Sequence, residues 1–161
     1  MPAFFKYKNM AHIKILSVNI SVQKGTVKKA VPEIQLTVKG VENDAHAGDW
    51  HRQVSMLAIE SIQKFEGMSG RKIRFGEFAE NITTEGMELF HTKPGDLFVN
   101  DNIILEVTQI GKTCHGSNCN IFKEVGACVM PKEGIFCRVI KTGVAKPGDI
   151  LIYQPKAQPN V

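Results

Sequence analysis

Glu33-Ile-Gln-Leu-Thr-Val-Lys39 alternates without a break: Ile34, Leu36 and Val38 fall on one face, Gln35, Thr37 and Lys39 on the other. A period of two marks a strand with one face in a core. Pro32 just ahead of it suits the start of a strand, where a missing N–H is tolerated. Working outward, Ile13 to Ile20 is an apolar, β-branched run and reads as a buried strand. Ile103 to Ile110 alternates again, with Ile103, Leu105 and Val107 together on one side. Ile135 to Ile140 and Asp149 to Tyr153 are two further strand candidates. Lys-Pro-Gly-Asp occurs at Lys93–Asp96 and again at Lys146–Asp149, each time before an apolar residue. Proline then glycine fits a type II turn that feeds a strand.

One stretch breaks the pattern. Val54, Leu57, Ala58, Ile62 and Phe65 recur at helical spacing, with Gly67 and Gly70 at the end. This predicts an amphipathic helix over 54–65 whose stripe faces the core. Short strands, glycine turns and one long helix point to a mainly β, barrel-like single domain with a few helices.

At 161 residues the chain is large enough for one real core. The net charge of +4 is mild, and its lysines are scattered without aromatic interleaving, so nucleic acid is not an expected partner. No apolar run approaches the roughly 18–20 residues that span a bilayer, so no membrane is expected either. Met1 to Met10 shows no apolar core of signal-peptide length. Four cysteines without an export signal suggest a reducing compartment, hence a cytoplasmic protein whose thiols serve chemistry or metal rather than disulfides. There is no GxGxxG, Walker loop, HExxH or nucleophile elbow, which speaks against a nucleotide-binding enzyme or a typical hydrolase.

Three segments carry candidate chemistry. The first is Gly40-Val-Glu-Asn-Asp-Ala-His-Ala-Gly-Asp-Trp-His-Arg-Gln53, holding Asp44, His46, His51 and Arg52. A loop ahead of a predicted helix offers free N–H groups and the positive dipole end to an anion, and Arg52 adds a forked phosphate donor. The second is Phe78-Ala-Glu-Asn-Ile-Thr-Thr-Glu-Gly86, where Asn81, Thr83, Thr84 and Glu85 offer hydrogen bonds, or simply cap a turn. The third holds Lys112, Cys114, His115 and Cys119, followed by Cys128 and Cys137. A cation such as Lys112 near Cys114 favours the thiolate, the form that attacks electrophiles and binds soft metals. Zinc takes thiolate and imidazole, yet the chain has no Cys-x-x-Cys pair. Cys137, inside Ile135-Phe-Cys-Arg-Val, reads as core.

Taken in order, these segments resemble the MOSC domain, named for the C-terminal part of molybdenum cofactor sulfurase. The matching stretches are Asn43-Asp-Ala-His-Ala-Gly48 with Arg52-Gln-Val-Ser-Met-Leu57, Phe78-Ala-Glu-Asn-Ile-Thr-Thr-Glu-Gly86, Gly95-Asp96, Leu105-Glu-Val-Thr-Gln109 leading to Cys114, Met130-Pro-Lys-Glu-Gly-Ile-Phe136, and Gly148-Asp149. The resemblance implies a β-barrel-like MOSC domain over 13–155, with 1–12 as an extension and 156–161 as a tail. It implies a bacterial, stand-alone type that handles the molybdenum cofactor or carries sulfur, with Cys114 at the family's cysteine position. Cys114 is then a persulfide carrier or a molybdenum ligand. Arg52, His46, Asn81, Thr83, Thr84 and Lys112 are the expected cofactor-binding residues for molybdopterin. A molybdoenzyme acceptor and a sulfur donor are the expected partners. Pyridoxal phosphate belongs to the sulfurase's separate domain, and no lysine here is marked as its Schiff-base site. The Cys-His-x-x-x-Cys cluster departs from a lone family cysteine. It keeps a second reading open: a zinc- or partner-binding β module in which Cys114, His115, Cys119 and Cys128 form one site.

Overall fold

The structure is a computed structural model and describes residues 10–111 and 130–157. The strands are β1 His12–Ile20, β2 Lys29–Val31, β3 Ile34–Thr37, β4 Gly40–Val41, β5 Val54–Ala58, β6 Ile82–Glu85, β7 Leu97–Val99, β8 Ile104–Ile110, β9 Ile135–Lys141, β10 Gly143–Ala145 and β11 Ile150–Gln154. Helix α1 runs Ile59–Ser69, α2 is the single turn Met130–Glu133, and a 3-10 turn covers Leu89–His91.

Seven strands close a barrel in the order β1-β11-β7-β8-β9-β5-β6 and back to β1. Every neighbouring pair in that ring is antiparallel except β5–β6. A parallel pair needs a long crossover, and α1 supplies it. β1 serves three neighbours: its first residues pair with β11, its last with β2, and β6 runs along its length. A register shift between Ile15 and Ser17 bends it to do so. β3, β4 and β10 form a separate three-stranded sheet.

The barrel interior is apolar: Ile13, Ile15, Val54, Met56, Ala58, Ile82, Leu105, Val107, Cys137 and Leu151 belong to one buried cluster. A second cluster lies outside the wall, where Leu57 and Phe136 meet Ile62, Phe65, Ile73 and Phe78. β5 is therefore covered on both faces, and all five of its residues are buried.

That double burial corrects the helix expected over 54–65. Val54–Ala58 is a strand, and the helix begins at Ile59, passes through Gly67 and stops at Gly70. Gly70 takes φ 69° and its N–H caps Glu66 O. A continuous apolar run buried on two sides has no period of two, and abutting a helix it mimics helical spacing. The strand read over 33–39 also ends early: Val38 lies in a turn and is 70% exposed. Both Lys-Pro-Gly-Asp turns form as expected. Gly95 and Gly148 take φ 99° and 96°, and Asp96 N and Asp149 N donate to Lys93 O and Lys146 O. No helix among the described residues is long and apolar enough to cross a membrane.

Candidate functional site

The 42–53 loop joins β4 to β5, not a strand to a helix. The N-cap of α1 is Ala58, at the far end of β5 from Arg52. The expected anion site at a helix start beside Arg52 is thereby overturned: a buried strand lies between them.

The loop is instead built around its own polar contacts. Gly40 enters it with φ 114°, and a Cβ there would stand 2.9 Å from Gln53 O, so the two loop ends touch. Gln53 closes the base: its amide nitrogen donates to Val38 O and Gly48 O, and its amide oxygen accepts from Val139 N. Ala45 N donates to Ser21 O, which ties the loop to the end of β1. Asp44 is the hub. Its carboxylate accepts from Lys28 Nζ at 2.8 Å, Ser21 N at 3.0 Å and His46 N at 3.0 Å. Burial opposes its charge, but Lys28 and these N–H groups outweigh it and hold the carboxyl below the usual carboxylate range.

An aromatic and cationic group stands on this hub. His46 and Trp50 are parallel, with centroids 6.4 Å apart, and Trp50 Nε1 donates to His46 O. The Arg52 guanidinium carbon is 4.7 Å from the Trp50 centroid and 5.6 Å from that of Phe136. Lys24 Nζ lies 5.2 Å from the same indole. Arg52 Nε is shielded from water and has no hydrogen-bond partner among the described residues. A guanidinium between two ring faces keeps its charge and offers its edge to an acceptor.

The loop also touches the end of β8. His51 Nε2 is 2.8 Å from Gln109 Oε1, and the Thr108 hydroxyl donates to His51 O and Phe136 O. Gly111 N donates to Gly134 O at 2.7 Å, which ties the end of β8 to the start of β9 just past the Met130–Glu133 turn. Lys112, Cys114, His115, Cys119 and Cys128 lie outside the described residues. Cys137 is fully buried in the barrel, 3.6 Å from Met56 Sδ, and burial pushes its thiol far above the usual range.

Asn81, Thr83 and Thr84 are fully buried. Asn81 Oδ1 accepts from Ser55 N and Ser55 Oγ, and its Nδ2 donates to Asn19 O. Thr83 Oγ1 accepts from Asn19 Nδ2 and donates to Glu80 Oε2. These two side chains are spent bracing β6 against β1 and β5. The Thr84 hydroxyl has no hydrogen-bond partner among the described residues. The two segments are each tied to the end of β1: Asp44 accepts from Ser21 N just past that strand, and Asn81 Nδ2 donates to Asn19 O within it. Sequence reading missed Lys28, Glu80, Asn19 and Ser55. Lys28-Lys29 looks like a solvated pair, and no spacing rule links Lys28 to Asp44.

The MOSC domain profile matches residues 43–151. Among solved structures the chain is similar to YuaD from Bacillus subtilis, with TM-score 0.73 and 18% identity over 90% of this chain and 97% of that one. It is similar to YiiM from Geobacillus stearothermophilus, with TM-score 0.68 and 23% identity over 88% and 74% of the two chains. YiiM from Escherichia coli aligns with TM-score 0.65 and 18% identity over 93% and 72%. No curated protein matches the chain significantly. The closed barrel, its structural relatives and a profile covering residues 43–151 agree: this chain belongs to the MOSC domain family.

Proposed function

We propose that this protein handles the molybdenum cofactor or carries sulfur, with Cys114 as the reactive group and the Trp50–Arg52 face as the anion contact. The observation that supports the reading is Arg52: its shielded Nε has no partner among the described residues, and its guanidinium lies against Trp50 and Phe136, near the end of β8 that leads to Gly111. Cys114 is the third residue after Gly111, and three residues span at most about 11 Å. The donor set fits a ligand with an anionic end and a thiophilic end. When bound, the cofactor supplies a pterin phosphate and a metal that prefers sulfur.

The chain's own residues then divide the work. Arg52 and His46 donate to the anionic end. Lys112 favours the Cys114 thiolate. Asn81 and Thr83 hold the wall behind the site, and Thr84 adds a hydroxyl with no partner among the described residues. As a carrier, the Cys114 thiolate attacks the outer sulfur of a persulfide donor. A new S–S bond forms at Cys114 as the donor's S–S bond breaks, and the donor leaves as a thiolate. A molybdoenzyme is the acceptor in this scheme.

Mass spectrometry and metal content after exposure to the molybdenum cofactor and a persulfide donor test it. Cys114→Ser should keep the fold but lose the sulfur adduct and molybdenum, because an alcohol is far less acidic and a poor soft ligand. Arg52→Ala should weaken cofactor binding and leave thiol alkylation rates unchanged. Full loading of Cys114→Ser overturns the proposal. So does stoichiometric zinc in protein purified without added metal, which selects the Cys114, His115, Cys119 and Cys128 site instead.

A further inference from the structure

Lys28 precedes β2 and is only 3% exposed. Its ammonium has an acceptor for each of three N–H groups: Asp44 Oδ1 at 2.8 Å, Ser21 Oγ at 3.1 Å and His46 Nδ1 at 3.2 Å. An ammonium donates and never accepts. The contact with His46 therefore requires an unprotonated Nδ1. A proton on Nδ1 would set two donors against each other. It would also find Asp44 Oδ2 at 3.8 Å, beyond hydrogen-bond reach. The proton of the neutral ring then sits on Nε2, on the side of the ring away from Lys28. The ring is held parallel to Trp50, and the side chain is 16% exposed.

We propose that Lys28 is a positioning residue that fixes His46 as the Nε2–H tautomer, so that the loop presents a hydrogen-bond donor, not a base, to an anionic or carbonyl oxygen of its ligand. The final clause rests on the anion-contact reading of this face; the tautomer does not. The device is economical in charge, since the buried Lys28–Asp44 pair is neutral as a unit. It also explains why a lysine is spent where no ligand contact is needed: a neutral residue at 28 would leave either tautomer of His46 open.

Nitrogen NMR of the full-length protein labelled with ¹⁵N-histidine reads this directly, with His46→Gln assigning the signal among five histidines. At neutral pH, His46 should show a protonated Nε2 and a bare Nδ1. In Lys28→Met/Asp44→Asn, which removes both charges together, the Nδ1–H share should rise several-fold. An Nδ1–H ring or an even mixture in the wild type overturns the inference. So does a double variant with an unchanged tautomer. If that variant fails to fold, the wild-type spectrum decides alone. Titration with inorganic phosphate tests the donor role separately. A shift of the Nε2 signal supports it, and an Nε2–H ring left unmoved by phosphate overturns that role and the anion-contact reading while keeping the tautomer.

Discussion

Asp44 and Glu80 sit in two of the segments that carry the family pattern, and both are shielded from water. Asp44 has a full set of partners and lies against a buried ammonium. Among the described residues no cation pairs with Glu80. Its Oε2 accepts from the Thr83 hydroxyl, and its Oε1 has no partner among the described residues. Burial pushes the Glu80 carboxyl above its usual range, partly offset by the N–H of Gly76 and the Thr83 hydroxyl, while Asp44 ends below its own. Two buried acids are thus shifted in opposite directions. Glu80 is the deeper of the two, and Asp44 alone has the Lys28 ammonium beside it among the described residues. One acid is kept charged to organise the loop that bears His46 and Arg52; the other favours its neutral form as part of the wall.

The comparison breaks most visibly at Asp44. Asp44→Ala leaves the Lys28 ammonium buried without its counter-charge and removes the acceptor for Ser21 N and His46 N. Loss of one partner of a buried pair costs about 3–5 kcal/mol. A urea midpoint should fall accordingly. A loss below about 1 kcal/mol would mean that Lys28 escapes to water and the pair is not an organising hub.

Gly76 links the two regions. Its carbonyl accepts from Lys28 N at 2.9 Å. Its φ is 90°, and an added Cβ would stand 2.3 Å from Lys28 O. The obstacle is backbone, so it cannot swing aside. Gly76→Ala should cost about 2–3 kcal/mol through strain and overpacking. The test is whether the same substitution also disturbs the indole fluorescence of Trp50, the chain's one tryptophan. An unchanged spectrum alongside lost stability would show that the wall and the loop are uncoupled.

Much of the barrel was readable beforehand, for a physical reason. β1, β8, β9 and β11 expose a regular pattern or a long apolar run, and the two Lys-Pro-Gly-Asp turns carry their conformation in their own residues. β5 was misread because its partners bury both of its faces, which erases the period. β6 was hidden inside Phe78–Gly86 because Thr83 and Thr84 look like capping residues until Asn19 and Glu80 are placed beside them. The site was legible only in part. Arg52 and His46 stand out by chemistry, whereas Lys28 becomes visible only when folding brings Asp44 to it. Cys137 was legible as a core residue by its apolar neighbours. Iodoacetamide near neutral pH should modify Cys114 well before Cys137, and the reverse order would overturn that division.

The smallest stability change should come from Glu80→Gln, and its sign sharpens the contrast best. A carboxyl whose folded pKa is raised contributes stability that is complete below its unfolded value and is lost as pH rises through the folded value. Asp44, with a lowered folded pKa, contributes stability that is present above its unfolded value and lost as pH falls through the folded one. Wild-type stability should therefore peak in mildly acidic solution, falling on the acid side with Asp44 and on the neutral side with Glu80. Glutamine keeps the shape of the protonated acid and cannot ionise. Glu80→Gln should flatten the neutral side, raise stability at pH 7 by on the order of 1 kcal/mol, and leave the acid side untouched. Denaturant midpoints from pH 3 to 9 measure both limbs at once. A variant that is destabilised at pH 7 would show that Glu80 is charged in the fold after all, held by a partner that Asp44's example would lead one to seek.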